Sequence, residues 1–149
     1  MDFNELIAGF ATRYNVADLA AQDGVATVEI DGIIVSIVSK DDEVAFSAEI
    51  GEAPAEGAAV FANVLLEANL QSGEVFAKLP DAATYVITRR LSLPTLDEIA
   101  FDVALEAFVN QTETWRGLLA DFRPAATAAA EMDAAAAVPS LGSDGFIQV

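Results

Sequence analysis

NVLLEANLQSGE, residues 63–74, is the stretch on which the fold turns. Asn63, Glu67, Asn69 and Gln71 interrupt a run that is otherwise Val, Leu and Ala, and Gly73 stands where a helix C-cap glycine belongs. Upstream, Pro54 marks a start, so the pattern predicts a helix over about residues 55–71. Val60, Phe61, Val64, Leu65, Leu66 and Leu70 point in several directions around its axis, and Glu56, Asn63 and Glu67 form only a narrow polar stripe. A helix apolar on nearly every side is a buried helix. A sheet can cover one side, and in a chain of 149 residues a second subunit is the natural cover for the other. Val60, Phe61, Val64 and Leu65 are accordingly expected at a homodimer interface. The competing reading is a helix central to a monomer.

Three strands precede this helix: VATVEI (25–30), IIVSIV (33–38) and VAFSAEI (44–50), joined by Asp31-Gly32 and by the run from Lys40 to Glu43. Asp-Gly between β-branched runs predicts an antiparallel hairpin. Before them, Phe3, Leu6, Ile7, Phe10, Ala11 and Tyr14 recur at helical spacing, with Asp2 as N-cap and Glu5 as its capping-box partner. After residue 73 come two strands, EVFAKL (74–79) and TYVITRRL (84–91). The longest helix follows Pro94, with Thr95 as expected N-cap and Glu98 three residues on. The order α-β-β-β-α-β-β-α, with strands in antiparallel runs, reads as α+β.

In IIVSIV both pleat faces are apolar, Ile33, Val35 and Ile37 on one and Ile34 and Val38 on the other. A strand with one wet face alternates apolar with polar. This predicts an apolar groove left open for a partner, along the sheet and first helix, with Phe10, Ile33, Val35, Ile37 and Phe46 as its anchors. The alternative is a sheet covered by helices on both faces.

Composition narrows the chemistry. Seven Lys and Arg against 24 Asp and Glu give a net charge of −17, which repels nucleic acid and anionic membrane surfaces. With 54% apolar residues the chain is nonetheless too apolar to be disordered. The sequence has no Cys and no His, so it has no disulfide framework, no thiol nucleophile and none of the commonest general base. Its glycines are scattered at turns instead of forming a phosphate loop. No catalytic, metal or cofactor site is predicted. The opening MDFNELIAGF is acidic, unlike a signal peptide, and a cytoplasmic location is expected. The basic doublet Arg89-Arg90 fits either a partner's acid or a charged sheet edge.

Several strings together resemble one family: FNELIAGFATRYNV, AEIGEAP, VLLEANL, RRLSLPTLDE and FDVALEAFVNQTETWRGLL. In order and spacing they are similar to the class I type III secretion chaperones, the Tir-chaperone or CesT-like family of small acidic bacterial proteins. The resemblance covers residues 1 to about 122. It implies a homodimer that binds the N-terminal, non-globular segment of a secreted effector, keeps it soluble and secretion-competent, and hands it to the export apparatus without ATP or cofactor. A YbjN-like adaptor or regulator would share the same plan without a secretion role. An acidic nucleic-acid mimic is a third reading, for which the strands are too apolar.

Residues 1–123 are thus expected to form the folded domain. From Pro124 the composition changes to nine alanines and two prolines in 26 residues, and a flexible tail is expected there. Its closing GFIQV is apolar enough to add to a sheet edge as a weak autoinhibitor.

Overall fold

A computed structural model describes residues 1–123, so the expectations for the tail lie outside the described residues. The element order is α1 (Phe3–Arg13), β1 (Val25–Ile30), β2 (Ile33–Lys40), β3 (Glu43–Glu52), α2 (Ala58–Gln71), β4 (Val75–Lys78), β5 (Thr84–Ser92) and α3 (Glu98–Ala120), with a 3-10 turn at Leu93–Thr95. This is the α+β order expected. Asp2 caps α1 by accepting from the Glu5 N–H at 2.9 Å.

The five strands form one antiparallel sheet in the order β1-β2-β3-β5-β4. The two tight hairpins are built from residues with positive φ, Asp31 and Gly32 in one (52° and 81°) and Asp41 and Asp42 in the other (52° and 64°). That conformation matches the right-handed twist of the strands it joins. β5 enters between β3 and β4, but the pairing with β4 stops at Thr88, so the doublet Arg89-Arg90 pairs with β3 alone. Its charges are matched within the sheet: Arg89 faces Glu74 at 3.4 Å and Arg90 faces Glu43 at 3.8 Å.

One face of the sheet is closed. α3 lies across β3 and β2 and packs against α1. Phe101 meets Phe10 at 6.0 Å and Phe46 at 5.6 Å between ring centroids, and Phe108 meets Phe46 at 5.5 Å. Where α3 ends over the sheet, β3 bulges between Glu49 and Gly51. Gly51 there has φ of 139°, which favours glycine, and a Cβ would sit 2.8 Å from Leu119 Cδ2, so that side chain would have to shift. A smaller cluster joins Phe61 of α2 to Tyr85 and Phe122, and Trp115 packs on Phe76 at 4.7 Å.

Two helix boundaries differ from expectation. α2 begins at Ala58 because Gly57, at φ 77°, turns the chain there; it ends with Ser72 as C-cap, whose hydroxyl donates to the carbonyls of Ala68 and Glu74. α3 is capped by Asp97 and not by Thr95. Residues 93–95 form the 3-10 turn, the Thr95 hydroxyl donates to Ser92 O, and Leu96 is extended and buried, so the first free N–H groups fall two residues later. The Ala100 N–H then donates to Asp97 Oδ1 at 2.8 Å.

The larger correction concerns the sheet faces. Phe10, Ile33, Val35, Ile37 and Phe46 are 6%, 2%, 0%, 0% and 0% exposed, all part of the chain's own core. The face carrying Ile33, Val35, Ile37 and Phe46 is the one that α1 and α3 cover. The opposite face, carrying Ile34, Val38, Ala45 and Val86, is uncovered in the described chain, and Ile34 is 63% exposed. Packing chose between two apolar faces by bulk: the face with Phe46 and three β-branched anchors of β2 fills the interior, and the one with Ser36, Ser47 and Ala45 faces out.

Candidate functional site

A sheet has two edges, and this one treats them differently. β4 is shielded by α2. The Phe76 N–H donates to Asn69 Oδ1 at 2.7 Å, and Asn69 Nδ2 donates to Phe76 O at 3.2 Å, so one side-chain amide occupies the edge bonds a further strand would use. β1 has no such cover along its middle. The two-residue hairpin makes Ile30 and Ile33 a hydrogen-bonded pair, and alternation then turns Val28 and Ala26 toward β2 as well. Val25, Thr27 and Glu29 aim their backbone groups off the sheet. Those of Val25 are taken by Gln22, at 2.8 and 3.0 Å. Thr27 and Glu29 remain as open donors and acceptors among the described residues.

Beside this edge lies a cleft of about 390 Å³ between β1, the end of α1 and the middle of α3. Its apolar walls include Phe10 and Tyr14 from α1, Val28 and Ile30 from β1, and Leu105 and Val109 from α3. Phe10 and Tyr14 stack at 4.7 Å, and Tyr14 is 56% exposed. Four acidic residues, Glu29, Asp31, Asp102 and Glu106, are among its lining residues.

One ionic clasp sets the spacing of the two helices. Arg13 donates through Nε and Nη2 to both oxygens of Asp102, at 2.9 and 2.8 Å, and its Nη1 lies 2.9 Å from Glu98 Oε2. The hydrogen bonds to Asp102 are the main cause of its raised pKa, with desolvation opposing and the charges of Asp102 and Glu98 assisting. Gly9 makes room for the clasp, since a Cβ there would approach Glu98 Oε2 to 2.7 Å and Arg13 Nη1 to 2.8 Å.

A second unpartnered surface is the outward face of α2. Phe61 and Leu65 are buried in the chain's own core at 3% and 4% exposure, while Val60 and Val64 are 42% and 41% exposed. Leu66 and Leu70 continue the open surface at 62% and 87%. Of the four residues expected at a dimer interface, two therefore face inward and two outward.

The sequence pointed to Phe10 but not to the rest of the cleft. Tyr14, Asp102 and Glu106 come together only because α1 and α3 pack side by side, and β1 is an edge because it pairs with β2 alone. Among the described residues no group of His, Cys, Asp and Glu is arranged to hold a metal ion, and no helix is long and apolar enough to cross a membrane.

Comparison with solved structures finds the same fold repeatedly. The ExsC–ExsE complex aligns with a TM-score of 0.69 at 18% identity, covering 80% of this chain and 97% of that one. The Yersinia pestis type III secretion chaperone SycH, in complex with a stable fragment of YscM2, aligns at 0.62 and 17%, covering 76% and 99%. YbjN from E. coli aligns at 0.52 and 17%, covering 77% and 86%. No curated protein matches the chain in sequence. The family model of the Tir chaperone proteins (CesT) matches residues 5–116, which runs from the first turn of α1 to the last part of α3. The chain belongs to the Tir chaperone (CesT) family.

Proposed function

We propose that the protein is a type III secretion chaperone that binds the N-terminal, non-globular segment of a secreted effector and keeps it soluble and secretion-competent. The observation that carries this reading is the open edge of β1 above an apolar cleft, in a chain of the Tir chaperone family. An extended segment can add to such an edge, taking affinity from main-chain bonds at Thr27 and Glu29 and anchoring apolar side chains in the cleft. A chaperone of this kind works by binding, with no reaction to catalyse and no cofactor to hold. The solved complexes named above, one of them of a type III secretion chaperone with a protein fragment, support a role in binding a protein partner.

The working unit in this proposal is a cytoplasmic homodimer joined through α2. Val60 and Val64 meet the second copy, while Phe61 and Leu65 hold the helix on its own sheet. The core residues Ile33, Val35, Ile37 and Phe46 support the client surface from beneath without touching the client, and Phe10 forms a wall of the cleft. The loaded dimer then delivers its client to components of the export apparatus.

YbjN has the same fold, which favours one rival: an adaptor or regulator without a secretion role. A pull-down with the tagged full-length chain from its own cells, followed by limited proteolysis, separates them. The chaperone reading expects one secreted protein, held through its N-terminal segment, with that segment protected and then lost on truncation. Recovery of a non-secreted protein, or of a client held through a globular domain, refutes it.

A further inference from the structure

The charge around the cleft specifies the client segment more narrowly than apolar and extended. Among the described residues, Glu29, Asp31, Asp102 and Glu106 line it and no Lys or Arg does. The nearest cation, Arg13, is already held by Asp102 and Glu98. The acids are also divided by the pleat. Glu29 is exposed and projects on the open face of the sheet, whereas its neighbours Val28 and Ile30 project on the covered face, into the cleft.

The geometry points to a client segment that alternates apolar and basic residues, docked as an added strand on β1. This rests on the chaperone reading above and names the chemistry of its client. The residue of an added strand directly opposite Glu29 shares its face, with Cβ atoms about 4.5–5.5 Å apart, so Lys or Arg there meets the carboxylate. The client residues on either side of it, opposite Val28 and Ile30, turn into the cleft toward Phe10, Leu105 and Val109. An acid at the basic position faces Glu29 at the same distance, within a chain of net charge −17. The alternation follows from register alone: slipping by one residue would set the basic side chains against the aromatic wall and the apolar ones in water. Asp31, at the hairpin, and Glu106, on α3, extend the same preference to basic residues flanking the strand, whereas Asp102 is already paired with Arg13.

Three synthetic peptides test this on the full-length protein: Ser-Val-Lys-Val-Lys-Val-Ser and its analogues with Gln or Glu in place of Lys. Binding is read by amide chemical-shift changes at Thr27 and Glu29 and by affinity in low and high salt. The expected order is Lys, then Gln, then Glu, with the Lys peptide at least tenfold tighter than the Glu peptide and weakened by salt. Glu29→Lys should reverse the order; Glu56→Lys, an equal change of net charge at an exposed site before α2, should leave it. Equal binding of the three peptides at β1, or equal effects of the two charge swaps, overturns the basic preference and leaves the strand-addition reading intact. No shift at Thr27 and Glu29 with any peptide rejects β1 as the docking edge, a result independent of the effector pull-down.

Discussion

Replacing Val64 with Asp should turn a dimer into a folded monomer. In the isolated chain Val64 is 41% exposed, and its helix neighbours Val60, Leu66 and Leu70 are 42%, 62% and 87% exposed. Together these exposed fractions equal roughly two whole aliphatic side chains, worth about 3–7 kcal/mol per copy if fully covered. A symmetric interface counts them twice. The total is of the same order as the ~4–15 kcal/mol lost on association, so the balance is narrow and one adverse group decides it. Val64→Asp places a carboxylate in the contact from each side, and each desolvated charge costs several kcal/mol. A loss of about 4 kcal/mol already weakens dimerisation roughly a thousandfold. The monomer should tolerate the change, because its Asp stays in water and Asp and Val have similar helix propensities. Light scattering across micromolar concentrations should give twice 15.6 kDa for the parent chain and 15.6 kDa for the variant, with similar circular dichroism. A parent chain that remains at 15.6 kDa near 100 µM, or a variant that still dimerises, refutes the reasoning.

Phe46→Ala should behave in the opposite way, destabilising the fold itself. Phe46 is fully buried between Phe101 and Phe108, and removing such a ring costs about 3–5 kcal/mol, readable by chemical denaturation; a loss under 1 kcal/mol would contradict the packing. Asn69→Ala should release the β4 edge, since it leaves both the N–H and the carbonyl of Phe76 without a side-chain partner. An expected loss of about 1–3 kcal/mol should accompany faster hydrogen exchange at the Phe76 amide, and unchanged exchange there would show that α2 shields the edge by other means.

Sequence periodicity revealed the elements, because each one has an apolar pattern of its own: the α1 stripe from Phe3 to Phe10, and the β1 and β2 runs around Asp31-Gly32. It did not identify the core side of the sheet: Ile33, Val35, Ile37 and Phe46 were expected to face a partner and lie instead in the chain's own core. The error has a physical source. A pleated strand with apolar residues on both faces carries no mark of which face the helices will take, and the choice belongs to the volumes assembled opposite it. The same limit hid the two halves of α2. Phe61 and Val60 are adjacent and both apolar, yet Phe61 packs against Tyr85 and edge-on to Phe122 while Val60 faces out. The cleft was the least legible part, since Tyr14, Glu29 and Asp102 lie on separate elements and meet only through tertiary packing.

The placement of the two open surfaces sets a length for the client. α2 covers the β4 edge, whereas the cleft lies at the β1 edge, on the far side of a five-stranded sheet. A second copy docked on α2 therefore leaves both β1 edges free at the two ends of the dimer. Four strand spacings of about 4.8 Å make each sheet roughly 19 Å wide. Two helices of about 10 Å diameter between the sheets bring the separation of the edges to about 60 Å. An extended chain covers at most about 3.3–3.6 Å per residue, so one client needs some 17 or more residues merely to join the edges, and several more to pair at each. Segments of about 25 residues or longer should bind one per dimer, and segments below about 15 should bind two per dimer, each at a single cleft. The longer class should also gain affinity by a factor of about 10²–10⁴, because the second contact becomes intramolecular. Nested N-terminal fragments of the captured effector, titrated by calorimetry, measure both quantities. A gradual rise in affinity with length at constant stoichiometry would refute the two-ended arrangement, and Val64→Asp should abolish the step by leaving each monomer with one cleft.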